Sequence, residues 1–243
     1  MARGADQRGV EAFEEIESLV ERIARWVAQN PGPVLGFVAA VLLVTAGIGA
    51  TRWWTERREA RASEAVAEVR ESFLRAMGAP PGAVTFSEPA NPETARKARE
   101  EHAARFAEAA SAHEGTAAAV EAWLEAGNLR EALGDRAAAL EAWQRGVDQA
   151  DAGSALRGLA LARLARGREA AGDAAGAAAA FEEAAAIEAF PLRHHALADA
   201  ARTRLQAGER ERAVAHAQRL ATEAPELRLP EHLKALLAEL RAR

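Results

Sequence analysis

The sequence predicts an all-α protein in which a single transmembrane helix is followed by an α-solenoid of stacked helical pairs. Three observations carry this prediction. Residues 34–50 (VLGFVAAVLLVTAGIGA) form an uncharged apolar run, the pattern of a membrane-spanning helix. The composition is rich in alanine, lacks tyrosine and is only 5% aromatic; alanine is the best helix former, and strands want β-branched and aromatic residues. Glycine-acid dipeptides then recur at nearly fixed intervals in the second half of the chain, as in helical-pair arrays.

The apolar run is seventeen residues long and spans about 26 Å as a helix, slightly short of a hydrocarbon core of about 30 Å. Extension from Pro33 through Trp53 and Trp54 closes the gap. Indole rings prefer the headgroup level and an arginine can snorkel to it, so Trp26, Arg52, Trp53 and Trp54 are the expected membrane-interface residues. A buried helix of a soluble domain is the first alternative, and these Trp and Arg collars argue against it. A cleaved signal peptide is the second. Gly47 and Gly49 would suit a small-residue cleavage rule, but thirty-three residues precede the run and a Trp pair just past it anchors rather than releases.

Upstream, Val10, Phe13, Ile16, Val20, Ile23 and Val27 fall at steps of three and four, which predicts a short amphipathic helix over residues 10–29 that Asn30-Pro31-Gly32-Pro33 breaks. Its polar face carries Glu11, Glu14, Glu15 and Glu21, the wrong sign for lying on anionic lipid; a partner helix or self-association suits it, as does a plain solvated helix. Downstream, residues 56–77 read as a charged helix with Ala65, Val66, Val69, Phe73 and Leu74 on its apolar face. Residues 78–92 hold four of the nine prolines, which makes a stiff exposed loop. The predicted organisation is 1–32 amphipathic helix and break, 33–54 transmembrane helix, 55–92 charged helix and Pro-rich loop, 93–229 repeat domain, and 230–243 capping helix.

The formal charge is −5, and the arginines are dispersed between acids, so there is no basic field for a nucleic-acid backbone. The chain has no cysteine, which excludes disulfides, thiolate metal sites and cysteine nucleophiles. No G-x-x-x-x-G-K, G-x-S-x-G or H-E-x-x-H pattern occurs. His194 and His195 are adjacent and would point about 100° apart on a helix, so they cannot both face one metal. Pairs such as Glu182-Glu183 and Glu100-Glu101 read as solvated faces, because acid-base catalysis needs carboxylates converging across a pocket. The sequence therefore predicts no enzyme, no cofactor, no metal and no small-molecule substrate.

The dipeptides are Gly134-Asp135, Gly172-Asp173 and Gly208-Glu209, spaced by 38 and 36 residues. Each is followed four to five residues later by an alanine (Ala139, Ala177, Ala213), which lets the second helix of a pair approach the first. With Trp123, Gly127 and Trp143 in the first unit, Leu161, Leu164, Ala165, Phe181 and Ala184 in the second, and Leu197, Ala201 and Pro225 in the third, the chain resembles the tetratricopeptide repeat family. Arg130, Arg168 and Arg204 stand where that family usually has tyrosine, so the contact must be made by an aliphatic stem or lost. A degenerate earlier unit is suggested by residues 56–77 and 95–113, and Leu233, Leu236, Leu237 and Leu240 suit a terminal cap.

The resemblance implies that the first helices line a concave surface. Carried over position by position, it nominates Glu121, Leu124, Asn128 and Glu131, then Arg166 and Glu169, then His195, Arg202 and Gln206 as a partner-binding groove. Mixed charge with modest apolar area suits a peptide or a partner helix. The carboxylate-gripping clamp of some relatives is not reproduced, since Leu124 and Asp199 replace its cations.

The whole arrangement, an acidic N-terminus, an Asn-Pro break, one span ending in Arg52-Trp53-Trp54, a charged helix and repeats, is similar to the bacterial ancillary SecYEG translocon subunit family (YfgM-like). That resemblance implies an inner-membrane anchor, a cytoplasmic N-terminus, and a periplasmic repeat domain whose protein partners are export-channel subunits, periplasmic chaperones or client peptides. Arg52, Arg57, Arg58 and Arg61 after the span outnumber Arg22 and Arg25 before it, and the positive-inside rule alone points the other way, to a cytoplasmic scaffold for another envelope complex in cell division or secretion.

Overall fold

The structure is a computed structural model and describes residues 21–229 and 231–242. The chain divides into two compact units, Met1–Glu56 and Arg57–Arg243. Of the amphipathic helix expected over 10–29, residues 10–20 lie outside the described residues, whereas 21–29 are helical. Asn30 closes this helix, its backbone N–H donating to the Trp26 carbonyl (3.0 Å) and its side chain to the same oxygen (2.8 Å). The Asn-Pro-Gly-Pro break is narrower than the sequence suggests. Only Asn30 leaves the helical path, and α1 (Pro31–Ala76) starts at the very next residue, because a first-turn N–H has no intrahelical partner and proline loses nothing there.

The first part of α1 is long and apolar enough to cross a membrane, judged by length and composition, and none of its apolar window is buried by protein. Leu35, Phe37, Leu42, Leu43 and Val44 are all exposed. Thr45 and Thr51 turn their hydroxyls back onto the carbonyls of Val41 and Gly47, which leaves neither hydroxyl donor unsatisfied in an apolar medium.

In the second unit, residues 57–76 of α1 pair with α2 (Pro92–Ala112), α3 (Ala117–Ala132) with α4 (Arg136–Gln149), α5 (Ala155–Ala170) with α6 (Ala174–Ala186), and α7 (Arg193–Gln206) with α8 (Arg210–Glu223); α9 (Glu231–Ala242) packs on α8 and α7. There is no strand among the described residues. Consecutive first helices approach closely along their backbones, α3 with α5 and α5 with α7, whereas consecutive second helices stand farther apart, α6 and α8 being joined by the side chains of Glu182 and His216 (2.6 Å). The first helices therefore line the inner side of the stack.

Each turn between paired helices has a glycine in the left-handed region: Gly78 (φ 85°), Gly134 (81°), Gly172 (86°) and Gly208 (80°). The same closure repeats, with the residue after the glycine donating to a carbonyl five residues back: Ala79 to Leu74, Asp135 to Arg130, Asp173 to Arg168 and Glu209 to Arg204, at 2.9–3.0 Å. Asp135 and Asp173 then cap the following helix through Ala138 N (3.2 Å) and Gly176 N (2.8 Å). Glu209, one methylene longer, makes no such cap and serves arginines instead.

Alanine-rich surfaces let the helices close together; Ala139, Ala177 and Ala213 are buried. Trp143 is wedged between first helices: a Cβ added to Gly127 of α3 would lie 2.3 Å from its Nε1, and one on Gly167 of α5 would lie 2.5 Å from its Cζ3. Both glycines exist because the indole fills the space of their side chains. Two apolar cores result, one joining α1, α2 and α3 around Val66, Phe73, Phe106 and Trp123, the other running from Leu124 and Trp143 through Phe181 and Leu197 to Leu240. The carboxylate of Glu59 accepts from the backbone of Ala117 (2.9 Å) and Ala118 (2.9 Å), and Arg58 donates to the Glu114 carbonyl (2.8 Å). The start of α3 is thus capped by the helix that carries the chain into the repeats.

Candidate partner-binding groove

The inner face is built by α1, α3, α5 and α7, and its charged side chains are arranged in bridges between neighbouring repeats. At the distal end, Arg202 of α7 binds both carboxylate oxygens of Glu169 on α5, the Nη2 contact being 2.9 Å, and also reaches Asp199 (3.2 Å). The amide of Gln206 fits the same pair when its nitrogen faces Glu169 Oε1 (3.1 Å) and its oxygen accepts from Arg202 (3.2 Å). These hydrogen bonds from Arg202 hold the Glu169 carboxyl below its ordinary range against the opposing effect of burial, and they raise the guanidinium in turn.

The proximal end is looser. Arg70 of α1 stands 3.7 Å from Glu121 and 3.6 Å from Glu125 of α3, within ion-pair range but beyond hydrogen-bond contact. The Asn128 side chain leans on Glu125 (3.5 Å), and its buried Oδ1 accepts no hydrogen bond from the described residues.

The nine groove residues nominated from the sequence thus fall into different settings. Glu169, Arg202 and Gln206 come together in one network, with Arg166 exposed on α5 where its charge also acts on Glu169. Glu121 and Asn128 belong to the proximal cluster with Glu125. Leu124 is buried, 6% exposed, within the apolar core. Glu131 is exposed near the end of α3. His195 is half-buried, and no hydrogen bond or ion pair ties it to the other groove residues among those described. Trp26, Trp53 and Trp54 of the first unit are 55%, 54% and 60% exposed, and Arg52 is exposed. Arg70 and Glu125 escape a reading based on the three glycine-acid units, and Asp199 enters it only as the residue that stands in place of a clamp cation. The charge of Arg70 is visible in the sequence, but its partners lie fifty residues on and appear only when α1 stacks against α3.

Of the three arginines that replace tyrosine, Arg168 and Arg204 reach the outer layer. Arg130 pairs with Asp135 of its own turn (3.8 Å). Arg168 reaches back to Gln144 of α4 (3.2 Å) and to the Gly176 carbonyl (3.3 Å). Arg204, only 5% exposed, binds Glu182 of α6 and Glu209 of its own turn. At Arg168 and Arg204 the tyrosine contact is replaced by a guanidinium strut to the preceding repeat.

The first turn differs from the rest. Residues 77–91 separate α1 from α2, whereas 133–135, 171–173 and 207–209 suffice elsewhere. The long turn is held by Phe86, edge-on to Phe73 at 5.5 Å, and by Glu88, whose oxygens lie 2.7 and 2.6 Å from Arg99 Nη2. It leaves a cleft of about 540 Å³ on the Pro80-Pro81 side and one of about 420 Å³ on the Val84–Phe86 side, with Arg70 and Leu74 lining both. No group of three or more His, Cys, Asp or Glu side chains suited to a metal ion occurs among the described residues.

No family model matches the chain, and no curated protein matches it. Solved structures do. The crystal structure of a substituted form of a Podosopora anserina putative kinesin light chain with nearly identical TPR-like repeats is 17% identical, covers 74% of this chain and 94% of that one, and has a TM-score of 0.50. The crystal structure of the same putative kinesin light chain without the substitution gives 17%, 74%, 95% and 0.49, and the crystal structure of MamA gives 16%, 58%, 77% and 0.42. At such identities the likeness is one of fold: the chain is an all-α, tetratricopeptide-like repeat solenoid with one long apolar helix near its N-terminus.

Proposed function

We propose that this protein is a non-enzymatic, membrane-anchored adaptor whose repeats bind protein partners. The observation that carries the reading is the succession of parts: a helix of membrane-spanning length whose apolar window is left uncovered by the other described residues, leading into a solenoid whose inner face is lined by mixed charge and has two clefts at its first turn. An array of this kind offers extended binding surface. The resemblance of the sequence to the ancillary SecYEG subunit family supports a finer reading, in which the anchor lies in a bacterial inner membrane beside the export channel and the periplasmic repeats connect it to chaperones or client peptides. Purification of the full chain in mild detergent tests this: enrichment of channel subunits supports it, and repeated purification without them removes the export-channel role.

A second reading has one specific observation in its favour. Arg52, Arg57, Arg58 and Arg61 follow the span and by the positive-inside rule would place the repeats in the cytoplasm, where the same solenoid would serve as a scaffold for another envelope complex. Glu56 and Glu59 interleave these arginines, but acids count little in that rule. The periplasmic reading therefore rests on the resemblance.

A further inference from the structure

We infer that the enlarged first turn, together with the α1 and α3 faces beside it, is the primary docking site of the repeat unit, and that it takes a protein segment presenting an apolar side chain next to a lysine or arginine. This rests on the adaptor reading and names where and by what chemistry the adaptor binds.

The other turns within helix pairs use three residues, and this one uses fifteen. Long ordered loops in compact domains are mostly functional, and insertions in repeat arrays gather at binding faces. The loop is fixed from both sides, by Phe86 on Phe73 and by Glu88 on Arg99, so its two clefts are preformed. Phe73, Phe86, Phe106 and Leu129 line the second cleft. At its rim Val84 is 88% exposed, an apolar side chain held out from a structured loop.

Charge selects the occupant. Arg70, Arg75, Glu71 and Glu125 line the clefts and Glu121 stands beside Arg70, two cations against three anions. Arg75 is committed to Glu71 at 2.7 Å, which leaves Arg70 alone between two carboxylates 3.6 and 3.7 Å away. One negative charge is in excess, and no hydrogen bond from Arg70 saturates those oxygens, so a cation of the partner completes the set. The distal end lacks this capacity, because Glu169 and Arg202 are already bound to each other.

The test uses the full chain in nanodiscs and two fluorescein-labelled dodecapeptide pools that share a fixed leucine and differ in the next residue, lysine in one and glutamate in the other. The lysine pool binds, and it binds up to about fivefold tighter than the glutamate pool, the effect of one completed surface ion pair. Glu121→Gln with Glu125→Gln abolishes that preference. Val84→Asp, at a position too exposed to affect folding, weakens the lysine pool several-fold, and replacement of 77–91 by Leu-Gly-Asp removes binding. Equal binding of both pools, preference for glutamate, or no binding of either overturns the inference. Partners that co-purify with the wild type and are retained by Val84→Asp and by the short-turn variant overturn it while leaving the adaptor reading standing; a wild type that retains no partner overturns the adaptor reading itself.

Discussion

Arg204 and Glu182 form a two-pronged ion pair across successive repeats, with Nε 2.7 Å from Oε1 and Nη2 2.6 Å from Oε2, while His216 Nε2 of α8 lies 2.6 Å from the same Oε1. The guanidinium side chain is almost wholly buried, at 6% exposure. The turn joins in as well, because Glu209 takes Arg204 Nη1. The third repeat is therefore fastened to the second by charge where the resembled family uses an aromatic ring.

Breaking one half of such a pair strands the other. Glu182→Leu leaves the Arg204 guanidinium with only Glu209 and lowers unfolding stability by about 3 kcal/mol. Glu182→Leu with Arg204→Met recovers most of that, since matched apolar groups remove the desolvation cost as well as the attraction. Urea unfolding of the full chain, followed by far-UV circular dichroism, measures both; a double variant no more stable than the single one would show that the strut is irreplaceable.

The same contacts set an acid limit. Hydrogen bonds from Arg204 hold the Glu182 carboxyl below its ordinary value in the folded state, and those from Arg202 do so for Glu169. A carboxyl that is more acidic folded than unfolded contributes stability that is fully present above its unfolded pKa of about 4.3 and is lost as the pH falls through the folded value. Stability should accordingly be flat from neutrality to about pH 5 on account of these groups and fall below that. Glu182→Gln with Glu169→Gln flattens the acid limb in denaturant titrations at stepped pH. An acid limb unchanged in this variant would assign acid sensitivity elsewhere.

Trp143 makes two glycines obligatory. Gly127→Ala and Gly167→Ala force a methyl to 2.3 and 2.5 Å from the indole and each should cost about 1–3 kcal/mol or more, the range for overpacked cores. At Gly146 the same methyl meets its nearest neighbours at 3.6 Å, so Gly146→Ala is neutral or stabilising by up to about 1 kcal/mol through helix propensity. Thermal melts of the three variants rank them directly.

Glu59 caps α3 through two amides. Glu59→Ala should raise hydrogen exchange at Ala117 and Ala118 and cost about 1 kcal/mol, the usual weight of an N-cap, with exchange in α5 to α8 unchanged. Faster exchange along the whole repeat unit would mean that this junction nucleates the solenoid rather than fastening its first member.

Gly134, Gly172 and Gly208 could be found in the sequence because the turn demands two things that sequence displays, a residue free to take positive φ and an acid at the next helix start. The first pair stayed indistinct for the converse reason. Gly78 makes the same turn, but Ala79 follows it, the twelve extra residues of the loop break the period, and Leu74 stands where the other repeats have arginine. The groove charges are assigned to one side of the stack by the resemblance to the tetratricopeptide repeat family, which says nothing of what lies across from them. Glu169 meets Arg202, and Arg70 meets Glu121 and Glu125, only through lateral stacking of first helices thirty to fifty residues apart. Leu124, nominated by the same resemblance, lies in the apolar core at 6% exposure. At Pro31 the break proved to be a single residue, because helix-breaking by proline depends on whether the lost N–H had a partner.

Whether the anchored solenoid carries its repeats on the periplasmic side turns on the face of the membrane at which residues after 56 reside. The chain contains no cysteine, so Ala152→Cys, in the exposed turn between α4 and α5, supplies a single reporter. With a membrane-impermeant maleimide on intact cells whose outer membrane has been permeabilised, the periplasmic placement predicts labelling before lysis. Labelling that appears only after lysis would contradict it and place the repeats in the cytoplasm.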